Sequence, residues 1–140
     1  MTSKTMKNWT RNFNIMLVGL LIVSCDPDIN VDYSITNQSN DNLRVVIYGL
    51  RDSNNGVMTT YDTLVKINDK LNIYTFSSLG SDYSYSADTV DIYDSIRIIK
   101  GNTLAKSDFK RIDKWTYTTI PGKWGGGQYK YELKVKNEDF

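Results

Sequence analysis

Beyond residue 30 the chain is written in twos. Val31, Tyr33 and Ile35 alternate with Asp32, Ser34 and Thr36, which predicts a strand with one wet face. The run Asn37-Gln38-Ser39-Asn40-Asp41-Asn42 is a dense turn signal, since Asn and Asp tolerate left-handed angles and bond their own backbone. Residues 43–50, LRVVIYGL, form a nearly continuous apolar strand that belongs in the middle of its sheet. Residues 51–60 read as a loop around DSNNG. A hairpin is then predicted, from 63–67 through Asn68-Asp69-Lys70 to 71–79. Residues 80–88, GSDYSYSAD, are a second loop, with Tyr83 and Tyr85 available to pack beneath it.

Residues 90–100 read as one strand or two short ones. Val90, Ile92, Ile96 and Ile98 share a parity that Asp94 interrupts. Gly101-Asn102 predicts a two-residue hairpin, because glycine takes the positive φ that a tight reversal needs. Residues 104–113 fit either an edge strand or a short helical turn. WTYTTI at 115–120 is rich in β-formers, and a Gly-rich loop from Pro121 to Gly127 follows it. The clearest alternation closes the chain: Tyr129, Tyr131, Leu133 and Val135 face one way, and Lys130, Glu132, Lys134 and Lys136 the other. Such lysines also discourage edge-to-edge pairing. The whole predicts an all-β fold, an antiparallel two-sheet β-sandwich of immunoglobulin-like or related topology, as a single domain over 31–140. Without a Cys-Trp-Cys pattern, an antibody-type domain is not expected.

Residues 1–25 follow a different rule. Lys4, Lys7 and Arg11 precede an apolar run at 13–23, broken only by Asn14 and Gly19, and the run ends at Ile22-Val23-Ser24-Cys25. That run is shorter than the roughly 20 residues that span a bilayer as a helix, and has the length of a signal-peptide core. The closing tetrad resembles the lipobox of bacterial lipoproteins: a branched apolar residue three before the cysteine, a small residue just before it, then the cysteine. The resemblance covers residues 1–25. It implies cleavage before Cys25, attachment of a diacylglycerol to the Cys25 thiol, and a membrane partner held through acyl chains such as palmitate. Two or three chains anchor stably where one does not. The domain plan is then signal peptide 1–24, lipidated tether 25–30 and sandwich 31–140. The expected address is the cell envelope, lipid-anchored at the outer membrane, on its periplasmic or its surface face. Acids right after a lipidated cysteine, here Asp26 and Asp28, resemble a surface-export signal in Bacteroidota lipoproteins. In enterobacterial lipoproteins an aspartate here instead implies inner-membrane retention. A plain solvated spacer is the third reading.

Composition narrows the function. Three of the 17 Lys and Arg residues lie in 1–24 and none of the 16 acids, so the mature chain is slightly acidic. That argues against nucleic-acid binding, which shows a basic stripe. Cys25 is the single cysteine, so no intrachain disulfide is expected. There is no histidine, which removes Ser-His-Asp and Cys-His catalysis and the commonest zinc ligand. No cofactor, metal or catalytic set is expected. Asp52-Ser53-Asn54-Asn55-Gly56 has a calcium-loop flavour, but the twelfth position holds Thr63 where an EF-hand has Glu. Asp88, Asp91 and Asp94 sit three apart, and on a strand Asp91 points away from the other two.

Trp124, among Gly122, Gly125, Gly126 and Gly127, is the candidate for binding. Exposed, it would join Trp115, Tyr117 and Tyr129 in an aromatic platform for a protein or glycan. Folded back, it would plug the end of the sandwich. The stretches SITNQSNDNLRVVIY, DSIRIIKG and YKYELKVKNEDF look like those of small uncharacterised Bacteroidota lipoproteins, a likeness that implies no activity. The favoured expectation is a non-enzymatic, lipid-anchored contact module. An immunity- or inhibitor-type lipoprotein that neutralises a toxin or hydrolase is the alternative. An enzyme would need a deep pocket with convergent carboxylates.

Overall fold

A computed structural model of the chain describes residues 28–51, 58–79, 88–122 and 126–140. Cys25 and the signal segment, the 52–56 loop, Tyr83, Tyr85 and Trp124 lie outside these residues. The strands are β1 (Asp28–Asn37), β2 (Leu43–Arg51), β3 (Met58–Val65), β4 (Lys70–Leu79), β5 (Ser95–Lys100), β6 (Thr103–Leu104), β7 (Trp115–Pro121) and β8 (Gly127–Val135). They form two four-stranded sheets, in the orders β4-β1-β8-β7 and β3-β2-β5-β6. The fold is the expected two-sheet β-sandwich.

Alternation explains the faces. On β1 the side chains of Ile29, Val31, Tyr33 and Ile35 are buried, while Asp28 and Asn30 lie on the wet side. Leu43, Val45 and Ile47 of β2, Ile98 of β5, and Tyr131, Leu133 and Val135 of β8 complete the sheet-to-sheet core. Each fully buried aliphatic or aromatic side chain contributes about 1.5–3 kcal/mol of transfer free energy. With no disulfide, this burial carries the stability.

Several expectations change. The sheet begins at Asp28, inside the expected 25–30 tether. Asp28 and Asn30 are the solvated parity of that strand: the Ser77 hydroxyl donates to Asn30 Oδ1 at 2.6 Å, while Ile29, between Asp28 and Asn30, is buried. The 63–79 hairpin does not form. β3 pairs with β2 and β4 with β1, so residues 66–69 cross from one sheet to the other. Residues 38–42 also cross between sheets, because β1 and β2 do not pair. A constant-type immunoglobulin domain pairs its first two strands, so this connectivity is of a related kind. β1 and β8 run parallel, the exception to the antiparallel rule, in unbroken register from Ile29↔Gly127 to Asn37↔Val135. β8 is therefore interior, and its lysines guard no edge.

Other expectations hold. β2 is central in its sheet, and Gly101, at φ 56, makes the β5–β6 hairpin. Residues 104–113 satisfy both readings, since Leu104 ends the edge strand β6 and a 3-10 turn covers Ile112–Lys114. The 90–100 stretch gives one strand, β5, and before it Val90, Ile92 and Tyr93 enter the core from irregular backbone. Gly49, at φ 66, lies where Ile47↔Tyr61 and Leu50↔Thr59 bracket a bulge. A Cβ there would collide with the Asp94 side chain.

Candidate functional site

The strand order lines up tyrosines that are far apart in the sequence. Tyr33 is opposite Tyr74 on β4 and Tyr131 on β8, and Tyr131 is opposite Tyr117 on β7. One row thus crosses all four strands on the inner face: Tyr74, Tyr33, Tyr131, Tyr117. Tyr33 and Tyr131 are stacked, with centroids 4.7 Å apart and planes 9° apart. Tyr131 meets Tyr117 at 5.1 Å, and Tyr117 also stacks on Tyr129 at 6.3 Å. The row is fully buried at Tyr33 and surfaces at Tyr117, which is 48% exposed. Each such ring pair adds about 0.5–1.5 kcal/mol beyond its area burial.

This divides the expected aromatic platform. Tyr117 and Tyr129 do come together at the rim of the sandwich. Trp115 does not join them: it is only 6% exposed, and its indole N–H donates to the Phe109 carbonyl at 2.9 Å. The Tyr93 hydroxyl donates to that same carbonyl, also at 2.9 Å. Trp115 is a core residue because it stands at the start of β7, where the 88–93 and 105–112 segments close the side of the sandwich. The signal that finds the true partners is inward parity, with a tyrosine on each of four strands.

The opposite face of the same sheet is mainly polar, with Leu79 and Ile120 as exposed apolar residues on it. Asp32, Ser34, Lys70, Asn72 and Lys130 line a half-open groove of about 360 Å³. Its floor is cross-linked: Asn72 Nδ2 donates to the Thr75 hydroxyl, which donates to Asp32 Oδ1, both at 2.9 Å. Beside it, Glu132 accepts the Thr36 hydroxyl proton at 2.6 Å and lies 3.3 Å from Lys70 and 3.5 Å from Lys134. The Thr36 bond, and then the two ammonium groups, hold the Glu132 carboxyl below its ordinary value against the opposing cost of burial. A depressed acid stabilises the fold above its unfolded value of about 4.3 and loses that contribution as pH falls through the folded value. Glu132→Gln is therefore expected to lower the urea midpoint at pH 7. Below pH 4 the two proteins should converge, and parallel curves down to pH 3 would contradict this.

Among the described residues, no group of three or more His, Cys, Asp or Glu could hold a metal ion. Asp88, Asp91 and Asp94 are all exposed; Asp91 Oδ1 accepts from the Thr89 hydroxyl at 3.4 Å, and Asp94 lies against Gly49. Also among the described residues, no helix is long and apolar enough to cross a membrane. The geometry offers contacts: a tyrosine stack opening beside an exposed sheet edge, and a polar groove behind it. Comparison with protein-family models, with curated proteins and with solved structures finds no match to this chain.

Proposed function

We propose that the chain is a lipoprotein of the bacterial cell envelope, anchored through acyl chains on Cys25, whose β-sandwich contacts a protein or glycan and is not an enzyme. The observation that carries the reading is the segment 13–25, a short apolar run behind a basic start that closes on Ile22-Val23-Ser24-Cys25. The fold supports it in one respect. β1 starts at Asp28, so two residues separate it from Cys25. At up to about 3.6 Å per residue, that end of the sandwich lies within roughly 11 Å of the lipidated position. A domain held so close to a bilayer meets partners through its sides, where the Tyr117–Tyr129 stack lies. The outer membrane is the proposed address.

The test is chemical. The mature protein, purified from its own host, should begin at Cys25 and carry added acyl mass. Cys25→Ala should take up no labelled palmitate, stay uncut, and leave the acyl-anchored membrane fraction. At about 0.8 kcal/mol per buried methylene, two chains hold a protein firmly, so the shift should be nearly complete. A bare Cys25, or a Cys25→Ala protein that matures and partitions as before, refutes the reading.

A further inference from the structure

The groove on the outer face of the β4-β1-β8-β7 sheet holds hydrogen-bonding groups that the fold does not use. Ser34, only 4% exposed, makes its floor, with its register partner Asn72 beside it on β4. Lys70 stands at one end, paired in register with Thr36, and Lys130 at the other, paired with Asp32. Most charges on this face are matched within the chain. Lys70 and Lys134 flank Glu132, which also accepts the Thr36 hydroxyl. Lys130 is the exception. Its register partner Asp32 is engaged on the other side, by the Thr75 hydroxyl of β4 at 2.9 Å. Among the described residues, the half-buried Lys130 has no side-chain hydrogen bond or ion pair.

Acceptors are left over as well. Asn72 gives its amide N–H to Thr75, and Asp32 uses one oxygen, so Asn72 Oδ1 and Asp32 Oδ2 remain available. The Ser34 hydroxyl reaches the Tyr131 carbonyl only at 3.4 Å, a long bond that leaves its lone pairs unused. Two ammonium groups against one carboxylate give the lining a single excess positive charge.

We propose that this groove is a subsite for one acidic sugar unit of a glycan, a hexuronate or a sulfated hexose, whose anionic group meets Lys130 while its hydroxyls meet Asn72, Ser34 and Asp32. The proposal rests on the reading of the domain as a contact module and chooses glycan over protein for this face. A monoanion matches the excess charge, and hydroxyls, which both donate and accept, match the mixed donors and acceptors. The volume of about 360 Å³ is at the small end of ligand sites, which run to roughly 300–1,000 Å³. A protein partner fits less well. Protein interfaces draw their energy from aromatic and apolar anchors in dry pockets, and no aromatic or aliphatic residue lines this groove.

The test uses the full lipidated protein in nanodiscs of neutral phosphatidylcholine, at constant ionic strength. Backbone amide shifts of Ser34, Asn72 and Lys130 are followed by NMR. Methyl glucuronide or a sulfated methyl glucoside should shift all three saturably, and the tighter of the two identifies the anionic group. Neutral methyl glucoside and plain acetate should each bind about tenfold or more weakly, the loss expected for one charge-assisted hydrogen bond or for the hydroxyl set. Lys130→Gln should weaken the acidic sugar about tenfold, with the urea midpoint unchanged because no internal partner is lost. Asp32→Asn, which still offers an oxygen to Thr75, should lower the preference for the acidic sugar over acetate. The proposal is overturned by the absence of saturable shifts at these amides, or by an unchanged affinity in Lys130→Gln. Acetate binding as tightly as the acidic sugar overturns it too, since the groove then reads charge alone. So does tighter binding of a capped glutamate tripeptide, which would assign this face to a protein partner and leave the contact-module reading standing. The intact mass of the same sample reports the Cys25 lipid, so failure of the anchor and failure of the sugar subsite give different results.

Discussion

Replacing Tyr33 by alanine is expected to cost about 3–5 kcal/mol, in the range found for deleting a buried aromatic ring. Tyr33 is 1% exposed and is the hub of the inner-face row. Its ring is stacked on Tyr131 and takes edge contacts from Trp115 at 5.8 Å and Tyr74 at 6.3 Å. Truncation removes all three contacts at once and opens a cavity between β4 and β8 that β-backbone cannot collapse to fill. A domain of this size has about 5–15 kcal/mol to lose, so Tyr33→Ala should unfold well below the parent denaturant midpoint, or fail to accumulate. Tyr33→Phe keeps every ring contact and should lose far less. Tyr117→Ala, at the exposed end of the same row, should also cost much less than Tyr33→Ala. Urea titration followed by tryptophan fluorescence checks the order. Equal losses at Tyr33 and Tyr117 would show that the row does not carry the core.

How much of this was readable in advance depends on what each residue pattern encodes. The alternation of Tyr129, Tyr131, Leu133 and Val135 with Lys130, Glu132, Lys134 and Lys136 carries straight through to the two faces of β8. A period of two is a statement about one strand and the water on one side of it, so it survives folding. Partner choice is not encoded that way. Asn68, at φ 64, reverses the chain as its type suggests, yet the reversal carries β3 into one sheet and β4 into the other. A turn signal reports that the chain bends, not whether the next strand pairs with the last or stacks across the core. The same gap hid the tyrosine row, since Tyr33, Tyr74, Tyr117 and Tyr131 become neighbours only once the order β4-β1-β8-β7 is known. Trp115 shares the strand and the inward parity of Tyr117, which the sequence shows, but its burial depends on the preceding segment, whose Phe109 carbonyl takes the indole N–H.

The second large effect is expected at Asn37, which looks like a turn residue and is in fact the last residue of β1, with no exposed surface. Its side chain joins both crossings between the sheets. Nδ2 donates to the Asp41 carbonyl at 2.8 Å and to the Val65 carbonyl at 3.0 Å. Oδ1 accepts from the Ser39 backbone N–H at 2.9 Å and from the Ser39 hydroxyl at 2.7 Å. The backbone repeats the link, for Asn37 N–H donates to the Asp69 carbonyl and the Asn68 N–H to the Asn37 carbonyl. Asn37→Ala would leave the buried Val65 carbonyl and Ser39 backbone N–H without that partner, while the Ser39 hydroxyl could turn to the Asp41 carbonyl 2.9 Å away. Each buried group left unsatisfied costs about 1–3 kcal/mol, and relaxation or an entering water recovers part of it, so the net loss should be about 2–4 kcal/mol. Asn37→Asp keeps Oδ1 but sets a carboxylate oxygen against the Asp41 and Val65 carbonyls, and should be at least as damaging. Ser39→Ala removes the hydroxyl that bonds Asn37 Oδ1 and the Asp41 backbone, and should cost about 1–2 kcal/mol. The double variant should then fall short of the sum, because the two residues share the Oδ1 contact. If Asn37→Ala proves nearly neutral, the crossings are held by their backbone bonds and by the flanking Leu43 and Val65 core contacts alone. In that case amide exchange at Ser39 and Asn68 would be unchanged by the substitution; the side-chain link instead predicts that it rises in both crossings together.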